Sequence, residues 1–585
     1  MGILLPLCIV FAPLAFAAVE PWAFVPLYAV FFIGAAALYA RGEENYKNPL
    51  YKNLLPAVLV VALLGLLQAL RQAPVNGPTP LIFTALRLST LNAVLLWLFY
   101  AAVMYCAAKT IRTPAQLQRL LWVIFGMGVV IALIGMLQKS GENTVVYGLR
   151  RVPGDAFGPF VNRDHGAFFL AMAGMCGLGL FFSGFKELFR HQSHTKLFDL
   201  LALQFLKLVM IVCVVAGIVK TGSRGGLHSF FCASMFLGFV AAGFLGTRPR
   251  KFAAWGALAL ALALAAYGLL LTKYKFLLGY KGDVFDSSVA ARFSMYKSGL
   301  AMFRDFPLFG VGLGAVVHAF PFYSRPDFVT PDIVKHVHSD WLELFLQAGL
   351  AGGLVFLAGL AAALYGFFKA WLRCRSFTIK AVCGGALGAV LVGIAHSFVD
   401  FGLQMPANSM AFFAILGALA SRPAVEGRSR RPQEEEDEPA VTPPPQKYVY
   451  AAFALAALLT AAAVPQAVSW YYDQRAKEGS FEEKTAARAQ ALYWQPEPQA
   501  AFRLAAEYYN HALKDKTEPC RLFSVANAIA WPYLRQAPLN AGLNLLDRNL
   551  RLQLANCYNR PLILKTPRLA TFPPPVAPTK NASQP

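Results

Sequence analysis

Charge is scarce in this sequence. Asp, Glu, Lys and Arg make up 14% of its 585 residues, while 57% are hydrophobic. A water-soluble domain sits nearer a quarter charged, and the shortfall excludes an ordinary soluble fold. Zinc-type cysteine pairs are also lacking: the nine cysteines contain no C-x-x-C and no zinc spacing. Seven lie in or beside apolar segments, where cysteine acts as a small hydrophobe. Cys520 and Cys557 stand in the polar C-terminal region, and the sequence leaves open whether they pair in an oxidising compartment. No strand precedes the glycine series Gly310, Gly312 and Gly314, and the series is not G-x-G-x-x-G. A nucleotide-binding fold is therefore set aside, and these glycines are expected in tight turns and close packing. The net charge of +22 punctuates the loops instead of forming one patch, which argues against nucleic acid as a partner.

Long apolar runs are what the chain has in abundance. They fall near 3–18, 21–40, 54–70, 88–108, 118–137, 166–183, 200–219, 226–245, 252–271, 341–368, 380–399, 407–421 and 448–468. Each is of the length a helix needs to cross roughly 30 Å of hydrocarbon. The expected fold is all-α: a polytopic membrane protein with about thirteen transmembrane helices. Ala15-Phe16-Ala17 resembles a signal-peptidase site, but no basic segment precedes it, so an uncleaved first helix is expected. With the N-terminus in the cytoplasm, loops rich in Lys and Arg, from Arg41 and Lys47 to Arg428 and Arg430, fall inside. The 138–165 loop, the 220–225 turn and the long 272–340 segment then fall outside.

Residues 1–421 read as the membrane-embedded domain, with the 272–340 segment as its large outer loop. Residues 422–447 form a charged, proline-rich linker expected to be disordered. The additional span at 448–468 delivers 469–560 to the outer face as a soluble helical domain, and 561–585 is a tail. Tetratricopeptide-like hairpins suit the 469–560 pattern, although no clean 34-residue repeat is present.

Charges beside membrane spans are expensive to place and are candidates for function. One outer segment is Phe160-Val-Asn-Arg-Asp-His165, and another is Lys220-Thr-Gly-Ser-Arg-Gly-Gly226. Arg224, flanked by glycine, can grip phosphate in a bidentate way, with backbone amides nearby as a nest. Interfacial snorkelling is the plainer use of such an arginine. Residues 290–304 read as an amphipathic helix with Arg292 near its start, a second candidate anion ligand. Arg163 and Ser223 join the two arginines as candidate substrate-binding residues. The stretch Lys335-His-Val-His-Ser-Asp340 shows an H-x-H-x-D pattern, yet Trp341 stands where a metallohydrolase needs another histidine. No metal site and no cofactor are expected. Asp340-x-x-Glu343 fits a capping box. His338 sits just ahead of a helix N-terminus, where a neutral imidazole can serve as general base. His336, His396, Asp400 and Asn408 are candidate cavity-lining residues.

Taken together, Thr221-Gly-Ser-Arg-Gly-Gly, Arg292 with Phe306-Pro-Leu-Phe-Gly-Val-Gly, His338-Ser-Asp-Trp-Leu-Glu with Ala348-Gly-Leu-Ala-Gly352, and His396-Ser-Phe-Val-Asp-Phe-Gly-Leu-Gln-Met-Pro-Ala-Asn408 resemble the O-antigen ligase/polymerase superfamily. The resemblance covers roughly residues 1–421. It implies a metal-independent glycosyltransferase of the bacterial inner membrane that uses undecaprenyl-diphosphate-linked glycan. By position, Arg224 and Arg292 match the arginines that hold the diphosphate, and His338 matches the histidine that activates the acceptor. Many relatives carry asparagine after that histidine, where this chain has Ser339. The implied acceptor is a glycan, as in a polymerase, lipid A-core, as in a ligase, or a protein hydroxyl. Residues 469–560 can hold an acceptor or an envelope-assembly partner. A transporter or flippase of the same lipids is the rival reading, but the inverted-repeat symmetry that would favour it is not seen.

Overall fold

The computed structural model describes residues 1–42, 50–75, 77–138, 143–148, 150–153, 156–188, 194–244, 283–324, 334–420, 443–514, 518–536 and 541–558. The expected span at 252–271 and the tail at 561–585 lie outside the described residues, as does the linker 422–447 apart from 443–447.

The apolar runs become helices. They are α1 (Leu4–Leu14), α2 (Pro21–Ala40), α3 (Leu55–Ala69), α4 (Arg87–Thr110), α5 (Pro114–Leu137), α6 (Arg163–Ser183), α7 (His194–Thr221) and α8 (Arg224–Phe244). The amphipathic stretch becomes α9 (Asp283–Asp305), and α10 (Asp340–Arg373), α11 (Phe377–His396), α12 (Pro406–Leu419) and α13 (Gln446–Arg475) follow. Among the described residues, nine helices are long and apolar enough to cross a membrane, with α1 and α12 as shorter apolar helices. The chain is a polytopic helical membrane protein. One departure from all-α is an antiparallel hairpin, β1 (Asn143–Val146) with β2 (Arg150–Pro153), the only sheet among the described residues.

Local chemistry starts the helices where the spans begin. Thr113 accepts from the Gln116 backbone while the Gln116 side chain accepts from Thr113, and Pro114 occupies the first helical position. The Asn162 side chain accepts from the Asp164 amide at 2.8 Å to open α6. The expected capping box at Asp340 and Glu343 is not formed. Ser339 is the cap instead, its hydroxyl accepting from the Leu342 amide at 3.3 Å, which frees both carboxylates for other partners.

Helix α6 is the centre of the bundle, with 83% of its most apolar stretch buried and α5, α7, α8 and α11 packed around it. Its crossing with α11 is backbone against backbone. A Cβ added to Gly179 would come within 2.6 Å of the Gly385 Cα, the small-residue contact that lets membrane helices approach closely.

Helix α10, read from the sequence as one uninterrupted span, is broken at Gly349, whose φ of 62° is left-handed. A break inside hydrocarbon is tolerated only where the freed backbone groups find protein partners. Residues 307–312 provide them. The Val311 and Gly312 amides donate to the Leu346 and Gln347 carbonyls, and Leu350 and Ala351 donate back to Pro307 and Leu308. Gln68 of α3 completes the joint, donating to the Phe309 and Gln347 carbonyls at 2.6 and 2.9 Å and accepting from the Leu313 amide at 3.1 Å. The glycine-rich segment is thus close packing, as expected, wedged into a broken helix.

Beyond α13 come α14 (Phe481–Trp494), α15 (Pro498–Ala512), α16 (Pro519–Gln536) and α17 (Ala541–Tyr558), each packed on the one before. Asp473 at the end of α13 meets Arg488 and Arg503, and Arg488 also pairs with Glu507 at 3.0 Å. Cys520 and Cys557 form a disulfide across a Cα separation of 5.7 Å, joining the start of α16 to the end of α17.

Replacement of Gly179 by valine forces α6 and α11 apart. It is expected to destabilise the protein by about 1–3 kcal/mol, as overpacking does, read as a lower melting temperature in detergent. An unchanged melting temperature would show that this crossing is not tight.

Candidate functional site

Asp400 lies in the turn between α11 and α12 and is 1% exposed. Three imidazoles face its carboxylate. His396, at the last turn of α11, places Nε2 3.2 Å from Oδ2. His165, in the first turn of α6, places Nε2 3.6 Å from the same oxygen. His338, in the loop before α10, places Nδ1 3.7 Å from Oδ1, beyond a formed hydrogen bond. Burial opposes charge on Asp400, but His165, His338 and His396 together hold its carboxyl well below the usual carboxylate range. His396 is itself fully buried, stacked 4.7 Å from Phe168, with Nδ1 3.5 Å from the Ser229 hydroxyl of α8.

The two histidines of the H-x-H-x-D stretch have separate carboxylates. His336 Nδ1 lies 2.8 Å from Glu343 Oε1, while Glu343 Oε2 accepts from the Val337 amide at 3.2 Å. Asp340 accepts from the Ser397 hydroxyl at 3.0 Å and from the Leu403 amide at 3.1 Å. The Phe401 ring joins the histidines: His336 stacks on it at 4.3 Å, and His165 and His338 meet it edge-on at 4.7 and 5.0 Å. His338 Nδ1 is buried, yet the side chain keeps 29% exposure, so the open part of the ring is away from Asp400. Ser339 donates to the Ser397 carbonyl at 3.2 Å while capping α10. That anchors the residue after His338 to the same turn that carries Asp400.

Two of the candidate arginines, Arg163 and Arg292, stand at the start of α6. Arg292 of α9 pairs with Asp164 at 3.3 Å. The guanidinium of Arg163, the preceding residue, reaches to 3.9 Å from where a Cβ on Gly222 would stand. Gly222 belongs to the turn that ends in Arg224, the first residue of α8. Beside it, a Cβ on Gly225 would meet His396 Cε1 at 3.2 Å and Val399 at 2.9 Å. The turn therefore abuts the Asp400 segment directly. Three of its amides are spent internally: Ser223 donates to the Thr221 hydroxyl, Gly226 to the Ser223 hydroxyl and Gly222 to the Val219 carbonyl. Ser223, a candidate substrate ligand, is buried and caps α8. Asn408 of α12 is also buried and donates to the His165 carbonyl at 3.2 Å.

The structure thus brings His338, Asp400 and His396 together, with Asn408 behind His165 and His336 linked through Phe401. Sequence reasoning missed the contacts of His165, Asp164, Glu343 and Phe401. His165 was legible within its polar run. Nothing in the sequence marks Phe401 as a common neighbour of three histidines.

Comparison with known proteins gives one family match: residues 209–357 fit the model described as O-antigen ligase. This interval holds Arg224, Arg292 and His338. No curated protein matches the chain.

The folded chain holds Asp400 below its unfolded value, so its ionised form stabilises the fold fully above about pH 4. That contribution fades as pH falls toward the depressed value. The wild-type melting temperature should therefore drop more between about pH 5 and pH 3 than that of Asp400→Asn. Equal slopes would refute the depressed carboxylate.

Proposed function

We propose that this chain, a member of the O-antigen ligase/polymerase superfamily, transfers glycan from an undecaprenyl-diphosphate donor to an acceptor hydroxyl on the periplasmic face of the bacterial inner membrane. The observation that carries the reading is the setting of His338. One edge of its ring faces a buried carboxylate, while the side chain keeps 29% exposure. The start of α6, whose His165 faces the same carboxylate, bears Arg163 and the Asp164 that holds Arg292. The Arg224 turn abuts the Asp400 segment.

In the proposed reaction His338 takes the proton of the acceptor hydroxyl on its open nitrogen. Asp400 orients the imidazole from behind and stabilises the cation that forms, the ordinary duty of the third member of such a relay. The acceptor oxygen bonds to the anomeric carbon. The carbon–oxygen bond to the diphosphate breaks, and its electron pair leaves with the phosphate. Arg224 and Arg292 meet that growing negative charge in a site where preorganised cations are most effective. Asp164 keeps Arg292 extended toward this position before the donor arrives. Direct displacement inverts the anomeric centre, and with arginines neutralising the leaving group no metal is required.

The order of acceptors is a matter of chemistry at the open face. Lipid A-core, the end of another glycan and a protein hydroxyl all present an alcohol to His338. The four helices after α13 add a surface for an acceptor or an assembly partner on the same side.

His338→Ala is expected to lower transfer by about 10²–10⁴-fold, the usual weight of a general base, with the protein still inserted in the membrane. Arg224→Ala and Arg292→Ala should abolish transfer likewise. Full activity of the His338 variant would sink the base assignment. Transfer should persist in EDTA; a loss restored by zinc would overturn the metal-free mechanism. With purified donor alone a polymerase yields a ladder, whereas a ligase yields a single product and only when lipid A-core is added.

A further inference from the structure

His338 has a φ of 53°, in the left-handed region that residues with a Cβ seldom occupy. Such a conformation persists only where neighbours over-determine it, and it is characteristic of functional sites. Several contacts around His338 come from the bundle itself. The Val337 amide is held by Glu343, the Ser339 hydroxyl by the Ser397 carbonyl, and the Asp340 amide by the Asp400 carbonyl at 3.0 Å. The carbonyl of His338 is held differently. It accepts from the hydroxyl of Tyr296 at 2.9 Å, and that hydroxyl also lies 3.4 Å from the Phe398 carbonyl.

Tyr296 belongs to α9, the helix of Arg292. The two residues are four apart and share a helical face. One end of that face is therefore fastened to α6 through Arg292 and Asp164, and the next turn to the His338 backbone and the turn leading to Asp400. Burial raises the Tyr296 phenol, outweighing Arg292, so the group stays protonated and remains a donor. A carbonyl that accepts from it cannot rotate freely, and rotating this peptide would swing the imidazole away from Asp400.

We infer that Tyr296 is a positioning residue for the transfer reaction: its hydroxyl fixes the backbone of His338, and so the aim of the imidazole, relative to Arg292 one turn away on the same helix. The inference rests on the reading of His338 as base and Arg292 as a diphosphate ligand. It assigns a task to α9 beyond carrying an arginine. The helix is the spacer that sets the leaving-group side of the reaction against the proton-accepting side. An ordinary tyrosine–carbonyl contact that merely holds a loop would show its loss in stability, not in turnover.

The test is Tyr296→Phe in the full chain, in proteoliposomes with a lipid-linked oligosaccharide donor and a hydroxyl acceptor. Turnover should fall about 10- to 100-fold, the scale of a small misplacement near the chemistry, with the donor KM and the melting temperature unchanged. The effect should vanish in the His338→Ala background, because the two residues act as one unit. As a readout independent of turnover, the rate of His338 carbethoxylation by diethyl pyrocarbonate should change in Tyr296→Phe, while His336, anchored on Glu343, reacts as before. Wild-type turnover, or a turnover loss matched by a lower melting temperature with unaltered His338 reactivity, overturns the inference. Full transfer by His338→Ala would instead sink the base reading. The expected large loss there, with undiminished turnover in Tyr296→Phe, sinks the positioning role alone.

Discussion

A carboxylate removed from water must be satisfied by the protein around it, and the way Asp400 is satisfied organises one end of this bundle. Its oxygens draw in His165 from α6, His396 from α11 and His338 from the loop before α10. Its backbone carbonyl accepts from the Asp340 amide. Through His396 and Ser229 the arrangement reaches α8, the helix that starts at Arg224. Elements far apart in sequence are thus tied to one buried charge. The catalytic candidate is the histidine of the three that retains an open edge.

The second constraint is the break in α10. Gly349 is buried in protein, and the 307–312 segment answers the backbone groups freed there one by one. This seats residues 306–312, the chain that leaves α9, against the break in α10. Gln68 locks the joint from α3. The glycine-rich segment is packed between helices, as its sequence led one to expect. The precision of His338 and Arg292 depends on that packing.

Much of the architecture was legible in the sequence because burial in lipid leaves a strong signature. Twelve of the expected spans coincide with helices among the described residues, and the amphipathic reading of 290–304 matches α9. The polar interruptions at 160–165, 220–226, 335–340 and 396–408 were each recognisable as costly places for charge. Their pairings were not. Asp340 and Glu343 fit a capping box by spacing, yet Ser339 caps the helix and the two carboxylates serve Ser397 and His336. Cys520 and Cys557 were candidates for a bond that spacing could not decide, because pairing depends on how α16 and α17 lie against each other.

The sequence by itself determined that this is a helical membrane protein, about where its helices lie, and which few polar groups stand beside them. It did so because the cost of exposing polar backbone or charge to hydrocarbon acts residue by residue along the chain. Tertiary structure alone decided that three histidines share Asp400, that Phe401 joins their rings, that Arg292 is held by Asp164, and that Tyr296 reaches the His338 carbonyl. Those contacts act over a few ångströms between segments separated by tens to hundreds of residues. No local pattern encodes such distances; they exist only once the helices have packed.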